Sequence, residues 1–252
     1  MKFALYFLGI KWYNKTIEKI SLICEENYEK KSCVEANWDY RGSCCRNYCL
    51  RNCCRSNYSA IENKRYTERY FGKKANEKYK TPVYIDGIEV ITQDVSCGYA
   101  VIEMFAKWSG KNITEESLFD EYGSVVTSTG DAFCAEMNKR FPEYITTIYK
   151  YLPNTKLIDK IYDSLASGIP VPFEWAALLG DDWTLHYSLI IGADIPNDKI
   201  TVANPYGYYE ELSVKDFLDR TSFEAYQNML FYLNLGFAFG IFEKNTIFVV
   251  KK

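Results

Sequence analysis

The run Gln93-Asp94-Val95-Ser96-Cys97-Gly98 carries the residue types that acyl transfer to sulfur requires. A cysteine that begins a helix meets free N–H groups and the positive end of the dipole, which favour its thiolate. Gly98 leaves the approach to the sulfur without a Cβ. Gln93, four residues before the cysteine, can turn an amide N–H toward an oxygen that becomes negative, beside the backbone N–H of Cys97. A thiol nucleophile needs an imidazole to take its proton, and the chain has one histidine, His186. A lone histidine at a strand start is more often structural, and the Cys97 run taken alone more often marks a buried structural cysteine. Asn204 changes the balance. The segments 186–194 and 199–204 read as two strands joined by Ile195-Pro196-Asn197-Asp198. In an antiparallel hairpin the start of the first strand lies near the end of the second. Asn204 then falls at the end of the sheet that holds His186, where its side-chain oxygen can hold an imidazole N–H and fix the tautomer. Before Pro205 an asparagine is also a common turn former, but three roles converging on one place favour the chemistry.

The elements that must position these residues are legible mainly after residue 80. From Cys97, the residues Val101, Met104, Phe105 and Trp108 fall at i, i+3, i+4 and i+7, one apolar helical face, and Gly110 stops it. Thr114 can cap a second helix with Glu115 and Glu116 in its first turn, ending at Gly123. Asp131 to Arg140 and Thr155 to Ala166 read as two more. After Gly168 the texture turns strand-like, over Ile169 to Trp175, His186 to Ile191 and Lys199 to Ala203. Ser213 suits an N-cap for a helix through Leu218. Phe237 to Phe242 and Thr246 to Val250 read as a last hairpin around Lys244-Asn245. Helices first and a mainly antiparallel sheet after them is an α+β order.

Two stretches resemble a known family. QDVSCGYAVIEMFAKWSGKNITEESL is similar to the first box of the C39-like peptidases, the bacterial bacteriocin-processing, double-glycine type. There a Gln precedes the Cys by four, a Gly follows it, and W-x-G-K closes the helix. HYSLIIGADIPNDKITVANPYGYYEELSVKDFLDR resembles the second box, in which His opens a strand and Asp-Pro or Asn-Pro with a Gly precedes a Ser-capped helix. The resemblance covers about residues 88–222. It implies a papain-like fold: an N-terminal helical lobe with the nucleophile helix packed on an antiparallel sheet that carries His and Asn. It implies Cys97, His186, Asn204 and Gln93 as the matching functional positions, in a thiol protease that needs no cofactor. The family commonly has Asp where this chain has Asn204. Its members usually process leader peptides as one domain of an ABC exporter, so a stand-alone relative is expected here. A catalytically silent peptide-binding module and an acyl or peptidyl transferase are the competing readings.

Residues 1–80 differ from the rest. They hold 17 Lys+Arg against 9 Asp+Glu, whereas residues 81–252 hold 13 against 24. A basic extension (1–80) on an acidic peptidase domain (81–252) suggests docking of one on the other. Seven of the nine cysteines lie between Cys24 and Cys54. Cys45, Cys49 and Cys53 recur every four residues, which suits a thiol face on a helix; the cluster lacks Cys-x2-Cys knuckles and a nearby histidine, so no metal is expected. Adjacent pairs such as Cys44-Cys45 rarely bridge each other, and the redox compartment stays open. No apolar run approaches the roughly 20 residues of a membrane-spanning helix. Phe3 to Ile10 is short for a signal peptide and lacks a small-residue cleavage site, which leans toward an unprocessed, cytoplasmic chain. The expected partner is a peptide or protein substrate, not a nucleic acid.

Overall fold

A computed structural model describes residues 77–123, 127, 129–179, 181–223, 233, 236–237, 240 and 242–252. The basic stretch before residue 77, its cysteine cluster and its docking on the acidic part lie outside the described residues.

The elements are β1 (Val83–Tyr84), α1 (Cys97–Trp108), α2 (Glu115–Tyr122), α3 (Gly130–Arg140), β2 (Ile145–Tyr149) and α4 (Asn154–Ala166). They continue with β3 (Val171–Leu179), β4 (Asp182–Asp194), β5 (Lys199–Asn204), β6 (Tyr208–Leu212), α5 (Val214–Ser222) and β7 (Ile247–Lys251). The strands form one antiparallel sheet in the order β2-β7-β3-β4-β5-β6, with β1 added to β4. This is the expected α+β fold, with helices gathered ahead of and against an antiparallel sheet in a papain-like arrangement. The folded body reaches back to Glu77, because Tyr79 is fully buried with its ring edge-on to Tyr162 at 5.0 Å.

Helix α1 is the centre of the core. Its spacing predicts one apolar face, yet Tyr99, Ala100, Val101, Ile102, Met104, Phe105 and Ala106 are all buried, while Trp108 is only partly covered. A helix apolar all round is one surrounded by protein. Gly98 is part of this packing: a Cβ there would lie 2.5 Å from Cβ and Oγ1 of Thr127. The space over Gly98 is thus taken by Thr127 and not left for a ligand. α2 begins with the predicted Thr114 cap, which accepts from the Ser117 N–H at 3.1 Å, and ends at Gly123 with φ +67°.

Two strand expectations differ from the structure. β4 starts at Asp182, pairing Leu179↔Asp182 at its mouth, so His186 lies inside the strand and does not open it. The expected hairpin of 237–242 with 246–250 is not found among the described residues: Phe237 is helical and Gly240 is in a turn. β7 instead pairs with β2, from Ile145↔Lys251 to Tyr149↔Ile247, a β-branched strand missed in the sequence. The cause is Asn245. Its backbone N–H donates to the Thr221 carbonyl at 2.9 Å, and its Nδ2 to Leu152 O at 2.8 Å and Asn154 Oδ1 at 3.0 Å. That anchoring to the end of α5 and the start of α4 replaces a hairpin turn.

The chain entering α1 is held by a single carboxylate. Glu115, buried at the start of α2, accepts from the backbone N–H groups of Asp94 (2.9 Å), Val95 (2.8 Å) and Ser96 (2.5 Å). Glu103 of α1 in turn accepts from the Glu115 N–H at 2.7 Å. Ser96 makes no side-chain cap of its own, so Glu115 does that work from a neighbouring helix. Three charge-assisted, part-buried hydrogen bonds are costly to lose. Glu115→Ala should destabilise the protein by about 3 kcal/mol in chemical denaturation, and Glu115→Gln by clearly less; equal and small losses in both would show that the 94–96 segment does not depend on this carboxylate.

Candidate active site

The loop after β5, Asn204-Pro205-Tyr206-Gly207, gathers the predicted residues. Asn204 is fully buried and ends β5, where it pairs with Tyr208 of β6. The Leu189↔Ala203 pair fixes the β4–β5 register, so Asn204 lies diagonally across from His186, within side-chain reach. His186 Nε2 and Asn204 Oδ1 are 3.0 Å apart. The backbone N–H of Tyr206 donates to the same Oδ1 at 3.0 Å, and the Tyr206 ring stacks on the imidazole with centroids 4.2 Å apart. Pro205 O accepts from the Gln93 N–H at 2.8 Å, and Thr92 bridges to Tyr206. Gly207, at φ +94°, must be glycine, because a Cβ would meet Thr92 Oγ1 at 2.5 Å.

Cys97 reaches the same place from α1. Its sulfur takes the backbone N–H of Tyr187, the residue after His186, and lies within electrostatic reach of Tyr206. The thiol and the imidazole thus both lie near Tyr206. Gln93 stands four residues ahead, tied to the loop by its backbone, and its buried Oε1 has no hydrogen-bond partner. The structure therefore brings His186 and Asn204 into direct contact and fastens the Gln93 and Cys97 segments beside them.

The hydrogen-bond inventory around Asn204 settles the tautomer of His186. A backbone N–H only donates, so the atom facing Tyr206 is the amide oxygen. On the other side, Nδ2 donates to Glu210 Oε2 at 3.0 Å and lies 3.4 Å from the Tyr208 hydroxyl. A carboxylate only accepts, so the amide cannot turn over. His186 must then carry a proton on Nε2, and in the neutral ring, which burial favours, the lone pair lies on Nδ1.

Burial sets the charge states. It pushes the Cys97 thiol up to about 11, opposed by the N–H groups of Tyr187, Gly98 and Cys97 itself, while the charge of Glu174 adds to the rise. The helix-start stabilisation expected of the thiolate is present as these N–H groups, and desolvation outweighs it. Burial likewise pushes His186 down to about 4, against the pull of the Asn204 hydrogen bond, and the positive charge of Arg220 pushes the same way. Burial thus favours the uncharged thiol and the uncharged imidazole.

Several of these neighbours had no sequence signal. Glu174 is 2% exposed, opposite Tyr187 on β3, and burial raises it to about 7, with Glu243 and Asp131 adding and Tyr187 and Lys150 opposing. Arg220 lies 3.6 Å from the Trp175 ring centre, donates to Ala176 O at 2.8 Å and pairs with Glu210. Trp175 is in turn the cross-strand partner of His186. Only Tyr206 and Glu210 could have been suspected, from the Asn-Pro-Tyr-Gly run and the period-2 spacing of Tyr208 and Glu210. The other described cysteine, Cys134, is buried on α3, its Sγ 3.5 Å from Thr146 O and 3.7 Å from Asn138 Nδ2. Among the described residues no group of three His, Cys, Asp or Glu side chains is placed to hold a metal ion, and no helix is long and apolar enough to cross a membrane.

A buried helix that begins with the cysteine, set against an antiparallel sheet that carries the His–Asn pair, is a papain-like arrangement. The chain belongs to the Peptidase_C39 like family, whose model matches residues 85–235, more than half of the chain. A comparison with curated proteins gives no match.

The two buried groups of opposite kind make the pH dependence of stability diagnostic. His186 falls from 6.5 unfolded to about 4 folded, so its contribution is present above pH 6.5 and is lost as pH falls toward 4. Glu174 rises from 4.5 to about 7, so its contribution is present below pH 4.5 and is lost as pH rises toward 7. Each amounts to roughly 3 kcal/mol, and between pH 4.5 and 6.5 they offset one another. His186→Gln should therefore lose stability as pH rises through this window, and Glu174→Gln should gain it. Denaturant midpoints at several pH values decide; parallel curves for both variants and the parent would rule out the assigned shifts.

Proposed function

We propose that the protein is a cysteine peptidase that hydrolyses a peptide bond through a thioester acyl-enzyme. The observation that carries this is the 3.0 Å contact of His186 Nε2 with an Asn204 oxygen that cannot turn away. It leaves Nδ1 as the one imidazole nitrogen able to accept the thiol proton. His186 Nδ1 takes the proton from the Cys97 sulfur as that sulfur bonds to the substrate carbonyl carbon. The carbonyl oxygen, now negative, is held by the Cys97 backbone N–H and the side chain of Gln93. Because the buried Gln93 Oε1 has no partner, the amide can turn its N–H toward that oxygen without breaking a hydrogen bond at Oε1. The tetrahedral adduct collapses, the C–N bond breaks, and the proton on Nδ1 leaves with the amine. Water then attacks the thioester carbon, giving one proton to Nδ1; the C–S bond breaks, that proton returns to the sulfur, and the acid is released.

The neutral resting pair bears on the chemistry. The proton moves when substrate is in place, and the developing imidazolium is supported by the Asn204 oxygen. Membership of a peptidase family supports a peptide as substrate.

The test is digestion of a mixed peptide library with product termini read by mass spectrometry. The parent protein should create new termini and show a transient acyl mass on Cys97. Cys97→Ala and His186→Ala should create none. Asn204→Ala should lower turnover by about one to three orders of magnitude, since orienting the base is worth less than the base itself. Cleavage that persists in Cys97→Ala, or that is lost in Cys134→Ala while Cys97→Ala is active, would overturn the proposal.

A further inference from the structure

Resting on the Cys97–His186 reading, we infer that Glu210 is the positioning residue of this site: its carboxylate fixes the Asn204 amide and makes an amide at position 204 a requirement. Asn204 is wholly enclosed, so its amide must satisfy its bonds within the protein. One end meets two donors, the Tyr206 N–H and His186 Nε2, each at 3.0 Å. The other end meets Glu210 Oε2 at 3.0 Å. Glu210 stands on β6, two residues beyond the Tyr208 that faces Asn204, so it projects from the same side of the sheet. It is held there by Arg220, which is 8% exposed, lies over the ring of Trp175 and donates to Ala176 O. Negative charge thus reaches the imidazole through a neutral amide, with Glu210 one bond further back, and it also balances an Arg220 charge that otherwise opposes protonation of His186.

This arrangement makes positions 204 and 210 interdependent. The substitution Asn204→Asp sets two carboxylates about 3 Å apart, and they can coexist only by sharing a proton. Above the pKa of that shared proton, the pair repels and the hold on His186 is lost. With Glu210→Gln added the polarity reverses. The new amide N–H at 210 can donate to the new carboxylate at 204, whose other oxygen accepts from His186. Arg220 is still balanced by one negative charge.

The experiment measures iodoacetamide labelling of Cys97 in the full chain at pH 6 and pH 8, by peptide mapping, for Asn204→Asp, Glu210→Gln and the double variant. Thermal unfolding is followed alongside. At pH 8 Asn204→Asp should slow Cys97 labelling about tenfold in the parent, with a smaller loss at pH 6. In the Glu210→Gln background the same change should speed it by about tenfold. If Asn204→Asp does not fold at pH 8, folding of the double variant is the same reversal of sign, read as stability. An Asn204→Asp effect equal in both backgrounds overturns the pairing. The base itself is judged separately: if His186→Gln labels as fast as the parent, the Cys97–His186 reading falls, whereas dependence on His186 with additive effects at 204 and 210 removes only the role of Glu210.

Discussion

One buried oxygen organises this site. Asn204 Oδ1 is shared by a backbone donor of its own loop and by the only imidazole in the chain. The loop that contains it also receives the Gln93 backbone, the Thr92 bridge and, through Tyr206, a ring stacked on His186. Its closeness to Thr92 is possible only because Gly207 has no Cβ. A shift of this loop would therefore alter the base, its tautomer and the approach of the Gln93 segment together. What holds the loop is the sheet: β5 and β6 pair on either side of it, and β4 fixes His186 against β3 through the Trp175↔His186 pair.

Electrostatics in so enclosed a site follows from burial more than from any single partner. The N–H groups at the start of α1 do favour a thiolate at Cys97, but desolvation of this half-buried thiol outweighs them. The same enclosure keeps His186 neutral and raises Glu174, so that much of it stays protonated near neutrality. Desolvation thus favours the uncharged form of three ionisable groups at rest. The polar contacts then decide where charge goes once a substrate arrives, because fixed dipoles in a dry site act strongly on developing charge.

Much of the fold was legible in the sequence. The period of Val101, Met104 and Phe105 located α1, the Thr114 cap located α2, and the Pro196-Asn197 turn located the β4–β5 hairpin. Where the reading went astray, long-range bonding overrode local pattern. Asn245 looks like a hairpin former, but its bonds run to Thr221, Leu152 and Asn154. β2 follows α3 so closely that its five residues carried too little pattern to stand out. For the site, spacing alone sufficed to place His186 near Asn204, since a hairpin makes that contact nearly local. Glu115, Glu174 and Arg220 were not legible, because each meets the site from an element whose position only the folded chain determines. Asn204 in place of the more usual aspartate could be noticed, but the Glu210 behind it could not be connected with that difference without the β5–β6 register.

The loop is expected to hold His186 as a neutral imidazole with its proton on Nε2 and its lone pair on Nδ1. Because the chain has a single histidine, nitrogen-15 NMR of protein labelled only in histidine reads that ring without overlap. Near neutral pH the spectrum should show one protonated nitrogen, Nε2, and one bare nitrogen, Nδ1. A proton on Nδ1, or a ring protonated on both nitrogens beside a thiolate, would contradict it.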